Sequence, residues 1–206
     1  MYIRPRQRWL LPILIVICGP APAAGSPLQS FFEASRTLSG QFEQVLFDAR
    51  DSVQERSTGA FWLQRPGQFR WEYRSPYPQT LLSDGERLWL YDPDLAQVTV
   101  RPLAEALASA PAALLTGEGL VAQAFAVERL RENGAVTWYA LTPRSDAGDF
   151  RRVELALEDN VPVQMILYDN FDQRTVITFS RLQVNQPLPS SRFEFEAPPG
   201  VEVVEG

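Results

Sequence analysis

The side chains that most often carry out enzyme chemistry are scarce in this sequence. The chain of 206 residues has no His, all 19 of its cationic side chains are Arg, and its single Cys is Cys18. Without His there is no Ser-His-Asp triad and no His-based acid–base pair, and without Lys there is no Schiff base. Asp and Glu are plentiful, but the surroundings mark no carboxylate pair. The composition therefore favours binding over catalysis, and we expect no catalytic residue, metal or cofactor.

One turn places a guanidinium where it could act as a clasp. Residues 62–71 are typical of two apolar strands joined at Arg65-Pro66, which puts Arg65 at the rim of a sheet. A guanidinium offers five donors in a planar fork, enough to hold backbone carbonyls of a neighbouring segment. The alternative is a solvated loop arginine, and composition alone leaves both interpretations open.

The N-terminus predicts a secretory signal peptide over residues 1–24. Three arginines among the first eight residues precede an apolar run at 9–18, and Ala21-Pro22-Ala23 supplies the small residues of a cleavage site. Cys18 raises the alternative of a lipoprotein acylated at that Cys. That processing favours a small residue just before the Cys, and Ile17 stands there instead. We therefore expect cleavage near Ala23 or Ala24 and export to the periplasm.

Charge narrows the choice of partners. The whole chain carries a net charge of −6, and loss of the three arginines in the signal peptide would make it −9. An acidic surface repels phosphate backbones, so we expect no nucleic acid partner.

Apart from two helical segments, the rest of the chain has the pattern of short strands in hairpin order. Ser26-Pro27-Leu28-Gln29 predicts a helix start, and apolar spacing continues that helix to a C-terminal cap at Gly40. Residues 102–125 are rich in Ala and Leu and predict short helices broken at Pro111. The strands are predicted at residues 41–47, 54–63, 68–73, 80–83, 87–91, 97–101, 127–131, 136–141, 150–157, 162–168, 174–184, 193–195 and 201–203.

Short strands without intervening helices predict one large antiparallel sheet in a single domain, residues 25–206. About ten or eleven twisted strands would curl the sheet on itself, leaving a concave apolar face. The two helical segments are small for covering that face. An incompletely filled concave surface predicts a cavity for an apolar ligand.

Several motifs, in order and spacing, resemble those of the periplasmic outer-membrane lipoprotein carrier family, LolA. The resemblance spans almost the whole mature chain. It rests on Gly40-Gln41-Phe42-Glu43-Gln44, Phe61-Trp62-Leu63-Gln64-Arg65-Pro66 with Phe69 and Trp71, Ser83-Asp84-Gly85 before Leu88-Trp89-Leu90-Tyr91, Pro111 with Leu114-Leu115, Phe193-Glu194-Phe195, and Pro198-Pro199-Gly200-Val201.

The resemblance implies a mainly β fold with helices (α+β), in which a large curved antiparallel sheet forms an unclosed half-barrel capped by a helical lid around an apolar cavity. The lid is residues 102–125. Arg65 matches the family arginine that holds the lid closed, and Leu115 matches the lid position beside it. We assign the acyl-chain cavity to Phe42, Phe69, Trp71, Leu88, Leu90, Leu107 and Leu114. Ala112-Ala113 stands where family lids can carry bulkier residues. The sequence therefore leaves open how tightly the empty lid packs on the sheet.

The resemblance also implies a function and its partners. The expected ligands are the acyl chains of outer-membrane lipoproteins, received from an inner-membrane ABC transporter and passed to the outer-membrane receptor LolB. We expect a monomer that is not an enzyme. The alternatives are an outer-membrane acceptor of the LolB kind, a periplasmic lipid-sensing regulator with the same fold, and an enzyme.

Overall fold

The computed structural model describes residues 27–106, 111–145 and 148–206. The predicted signal peptide and Ser26 lie outside these residues. The helices are α1 (Pro27–Ala34), α2 (Leu103–Ala106) and α3 (Glu118–Ala124), with 3₁₀ turns at Pro111–Leu115 and Ser190–Phe193. The strands are β1 (Thr37–Phe47), β2 (Val53–Gln64), β3 (Gln68–Ser75), β4 (Gln79–Asp84), β5 (Arg87–Asp92), β6 (Gln97–Pro102), β7 (Phe125–Asn133), β8 (Val136–Pro143), β9 (Phe150–Glu158), β10 (Val161–Asp169), β11 (Arg174–Val184) and β12 (Glu202–Glu205).

All twelve strands belong to one sheet, in the order β12-β6-β5-β4-β3-β2-β1-β11-β10-β9-β8-β7. Neighbouring strands are antiparallel except for β12, which pairs with β6 in parallel. Among the described residues, the edge strands β12 and β7 do not pair with each other, so the sheet stays open. The prediction of a large unclosed antiparallel sheet is confirmed, with twelve strands where about ten or eleven were expected.

Two glycines lie where the central strands leave no room for a side chain. A Cβ at Gly59 would be 2.0 Å from the carbonyl oxygen of Glu72 and 2.5 Å from Cζ of Phe42. A Cβ at Gly40 would be 2.7 Å from Cδ2 of Leu182, beside the irregularity in the β1–β11 register. Glycine at both positions permits the close approach that a bulged, strongly twisted sheet requires.

The first helix ends earlier than its apolar spacing predicts. α1 stops at Ala34 and β1 begins at Thr37, so Leu38 and Gly40 belong to a strand. Leu38 pairs with β2 on one side and β11 on the other, and its side chain is fully buried. The prediction of a helix to Gly40 is therefore wrong, because pairing with two strands satisfies the backbone groups of this segment in the sheet.

The helices predicted within the lid are present as short pieces. α2 follows β6 directly, Pro111 begins a 3₁₀ turn, and α3 leads into β7. Leu107 lies in the segment 107–110, outside the described residues.

The strand predicted at residues 193–195 is wrong. Phe193 ends a 3₁₀ turn that packs against β3 and β4, and its side chain is buried. The ring of Phe195 stacks on Trp89, with centroids 6.0 Å apart. Phe193 and Phe195 alternate as strand residues do, but both pack on side chains of the sheet instead of pairing with a strand. The chain then returns to the edge as β12.

Candidate functional site

One face of the sheet carries a contiguous aromatic surface. Phe42 of β1 stacks on Trp71 of β3 with ring centroids 4.2 Å apart, and Phe61 of β2 stacks on the same Trp at 5.3 Å. Phe179 of β11 meets Trp71 edge-on at 6.2 Å. All four side chains are buried. An apolar surface of this extent must be covered in water, either by the chain itself or by a ligand.

Two covers lie over this surface, α1 and the lid. α1 contributes Leu28, Phe31 and Phe32, and the lid contributes Leu103, Ala112, Ala113, Leu114, Leu115, Val121 and Phe125. All of these side chains are buried and form one hydrophobic cluster with the aromatic surface. In the described residues, side chains of α1 and the lid pack onto the surface that the sequence predicts to line an apolar cavity, and we call this packed arrangement the closed form.

Most residues assigned to the acyl-chain cavity lie in this cluster. Its members include Phe42, Phe69, Trp71, Leu88 and Leu114. Leu90 is half-buried and lies outside the cluster, and Leu107 is outside the described residues. Contact of these residues with a ligand remains a prediction.

Arg65 lies between the two covers and hydrogen-bonds to both. Its Nη1 donates to the carbonyl oxygen of Ser35 and, over 2.6 Å, to the Ser35 hydroxyl, at the end of α1. Its Nη2 donates to the carbonyl oxygen of Leu115 in the lid over 2.9 Å. The guanidinium carbon lies 4.4 Å from the ring centroid of Phe31 and 5.3 Å from that of Phe32. One side chain therefore joins the first helix to the lid.

The electrostatic setting of Arg65 is unusual for a surface arginine. Burial lowers the pKa of Arg65 to about 10, so the side chain is still cationic at neutral pH. No carboxylate in the described part of the chain forms a salt bridge with it, and its Nε has no hydrogen-bond partner there. Carbonyl dipoles and aromatic faces hold this partly dehydrated charge, a weaker arrangement than a carboxylate pair.

The lid turn next to Arg65 is tightly built. Thr116 is fully buried, and both its hydroxyl and its amide donate to the carbonyl oxygen of Ala113, over 2.7 Å and 3.1 Å. Ala112 and Ala113 are buried as well, so small side chains do not loosen the lid. The Leu115 carbonyl oxygen accepts from Arg65.

Sequence reasoning missed the partners that α1 supplies to Arg65. Ser35 and Phe31 contact the guanidinium, and Thr116 shapes the lid turn beside it. The available signal was Ser35 itself, a polar residue on the apolar face of the predicted helix.

Tyr73 and Gln44 form a neutral polar pair beside the aromatic surface. The Tyr73 hydroxyl donates to Oε1 of Gln44 over 3.0 Å, and burial raises the pKa of Tyr73 to about 12, so it is neutral at physiological pH. Within the described ranges, no group of three or more Asp, Glu, His or Cys side chains could hold a metal ion. No helix among those residues is long and apolar enough to cross a membrane.

Comparison with known proteins places this geometry in a family. Residues 33–196 match the sequence model of "Outer membrane lipoprotein carrier protein LolA". The outer-membrane lipoprotein carrier protein of Methylococcus capsulatus is 40% identical over 205 residues, covering 98% of this chain and 99% of its own. That of Nitrosospira multiformis is 41% identical over 178 residues, covering 86% of each chain.

Solved structures show the same fold. A LolA-superfamily protein from Nitrosomonas europaea superimposes with a TM-score of 0.50 at 13% identity, covering 82% of this chain and 97% of its own. An uncharacterized conserved protein from Thermus thermophilus gives 0.54 at 14% identity, covering 87% and 97%. The sequence matches cover most of the chain, and its open sheet is covered by a lid. This chain therefore belongs to the outer-membrane lipoprotein carrier family, LolA.

Proposed function

We propose that this protein carries the acyl chains of outer-membrane lipoproteins through the periplasm. The observation that carries the proposal is the position of Arg65, which joins two covers over an aromatic surface that they keep from water. The relatives described as outer-membrane lipoprotein carriers support the choice of ligand.

The physics of the cargo requires such a carrier. An acyl chain of about fifteen methylenes gains roughly 12 kcal/mol on leaving water, at about 0.8 kcal/mol per methylene. A lipoprotein with two or three such chains would not cross an aqueous space unaided at a useful rate. The carrier must shield these chains and still release them.

The closed form meets both requirements because acyl chains can replace the protein's own side chains on the aromatic surface. When α1 and the lid move, their apolar side chains leave the aromatic surface, and acyl chains take their place. The loaded form therefore gives up contacts within the protein to make contacts with the cargo. Because opening also returns the Arg65 guanidinium to water, the open form recovers part of the hydration that the closed form lacks.

The partners follow from the resemblance to the family. An inner-membrane ABC transporter supplies the lipoprotein and the energy for loading, and the outer-membrane receptor LolB accepts it. The carrier acts as a monomer and not as an enzyme. Export to the periplasm depends on the signal peptide predicted at residues 1–24.

Photo-crosslinking in living cells tests the proposal. A photoreactive residue is placed at Phe69 or Leu115, with exposed Arg56 on the outer side as the control. Captured molecules are then identified by mass spectrometry. We expect lipoproteins at positions 69 and 115 and not at 56. If exported protein captures no lipoprotein from either inner position, and no acyl lipid co-purifies with it, the carrier function is wrong.

A further inference from the structure

A groove of about 350 Å³ lies between α1 and α3. Leu28 and Phe32 of α1 line one side, and Val121 of α3 and Phe125 at the start of β7 line the other. These four side chains are buried and belong to the same cluster as the aromatic surface. The floor of the groove is therefore continuous with the covered interior. At its rim, Val127 is 43% exposed, which extends the apolar surface outward.

The hydrogen bonds between α1 and the sheet differ in length at the two ends of the helix. At the C-terminal end of α1, Asn185 donates from Nδ2 to the Ala34 carbonyl oxygen over 2.9 Å and accepts from the Arg36 amide over 2.7 Å. At the N-terminal end, the Leu28 amide donates to the Tyr139 hydroxyl over a longer 3.4 Å. A pivot at the C-terminal end would swing the N-terminal end away from α3 and widen the groove.

The α3 side is fixed, and it carries a cation. Nε of Arg144 donates to the Ala122 carbonyl oxygen over 3.2 Å, and the Arg144 amide donates to the Ala124 carbonyl oxygen over 2.8 Å. Arg144 thus ties the end of α3 to the segment that follows β8. Its two Nη groups carry four further N–H donors at the groove, whose other lining residues include no charged side chain.

We propose that acyl chains enter through this groove. Arg144 then binds the carbonyl oxygens of the ester and amide groups that join the chains to the modified cysteine of the lipoprotein. This inference rests on the proposed function. When the chains slide into the interior, their ester and amide carbonyls come to lie at the rim. Against the apolar rim these carbonyls lose part of their hydration, and the exposed Arg144 guanidinium supplies hydrogen-bond donors to them there. The polypeptide of the cargo stays outside.

A covalent bridge across the groove tests the entry route. Gln29 of α1 and Ala122 of α3 both line the groove, so both are changed to Cys in a Cys18→Ser chain and joined with a short bismaleimide. The probe is a fluorescent tripalmitoylated cysteine peptide. We expect the bridged protein to bind it at least about tenfold more slowly than the same protein before bridging.

The matched control bridges the outer side of the sheet with the same reagent. Thr58 of β2 and Thr178 of β11 both pair with Glu43 of β1, so they stand two strand spacings apart, roughly 10 Å. A Thr58→Cys/Thr178→Cys bridge leaves binding unchanged. Equal binding rates with and without the groove bridge would overturn the entry route and leave the carrier function standing. Failure of the unbridged protein to bind the lipopeptide would overturn the carrier function itself.

The contact made by Arg144 has its own test. Arg144→Leu should weaken binding of the tripalmitoylated peptide about tenfold more than binding of a fluorescent alkane without carbonyl groups, which reports any loosening of α3. Arg144→Lys, which keeps the charge, should recover part of the loss. If Arg144→Leu weakens both probes equally or weakens neither, Arg144 does not bind the carbonyl oxygens.

Discussion

Replacing Arg65 by Leu removes the side chain that joins α1 to the lid. The closed form then loses the hydrogen bonds to Ser35 and Leu115, and both carbonyl oxygens lose a donor. The open, loaded form loses less, because the covers have already moved apart in it. We therefore expect Arg65→Leu to bind acyl cargo more tightly and to pass it on more slowly.

The size of the effect follows from two opposing contributions. Hydrogen bonds to a charged group contribute about 1.5–3 kcal/mol each, and Arg65 makes two to backbone carbonyls. The fall in the pKa of Arg65 from 12.5 to about 10 reflects a dehydration cost of about 2–3 kcal/mol once partial exposure is allowed for. Two such bonds contribute about 3–6 kcal/mol, so the mid-range difference is about 2 kcal/mol, which corresponds to a change in cargo affinity of about 30-fold.

Two measurements check this expectation. Titration with a fluorescent tripalmitoylated peptide gives the affinity, and transfer to purified LolB gives the rate of release. Arg56→Leu is the control, since Arg56 is exposed and pairs with Glu43 over 3.0 Å on the outer side, where such a pair contributes little. If Arg65→Leu matches the natural protein in affinity and in transfer, Arg65 does not hold the closed form.

Two further changes test how the fold is built. Thr116→Val removes the hydroxyl that donates to Ala113, so we expect amide hydrogen exchange in the lid to speed up by about 5- to 10-fold, equivalent to about 1 kcal/mol; unchanged exchange would show that the turn does not depend on that bond. Gly59→Ala would place a Cβ 2.0 Å from the Glu72 carbonyl oxygen, so we expect a loss of about 3 kcal/mol or more in urea unfolding, or no folded protein. Gly119 lies in α3 with open space around it, so Gly119→Ala should instead raise the free energy of unfolding by about 0.5–1 kcal/mol. If both substitutions changed the free energy of unfolding alike, the space around Gly59 would not be what limits that position.

Much of the sheet could be predicted from local patterns. Phe69, Trp71 and Tyr73 alternate along β3, and the first two are buried as the pattern predicts. Asp84-Gly85 forms the turn between β4 and β5, with Gly85 at a φ of +107° that favours glycine. Pro111 begins a 3₁₀ turn within the lid. Side-chain alternation and turn residues act over a few positions, so the sequence displays them directly.

The limits of the prediction lie at places where two patterns compete. Leu38 fits both the apolar face of a helix and the buried face of a strand, and only pairing with β2 and β11 decides between them. Phe193 and Phe195 alternate like strand residues, yet they pack across the sheet. Local spacing cannot distinguish these outcomes, because each is set by neighbours far away in the sequence.

The sequence alone determined most of the strands and turns, the short helices of the lid and, through its resemblance to a family, the carrier fold. Tertiary structure decided what Arg65 binds, since its partners Ser35 and Leu115 are 30 and 50 residues away. It also decided that α1 and the lid fill the concave face in the closed form. Periodicity tells which side chains are to be buried, but not against what, because burial against distant segments depends on how the whole sheet curves.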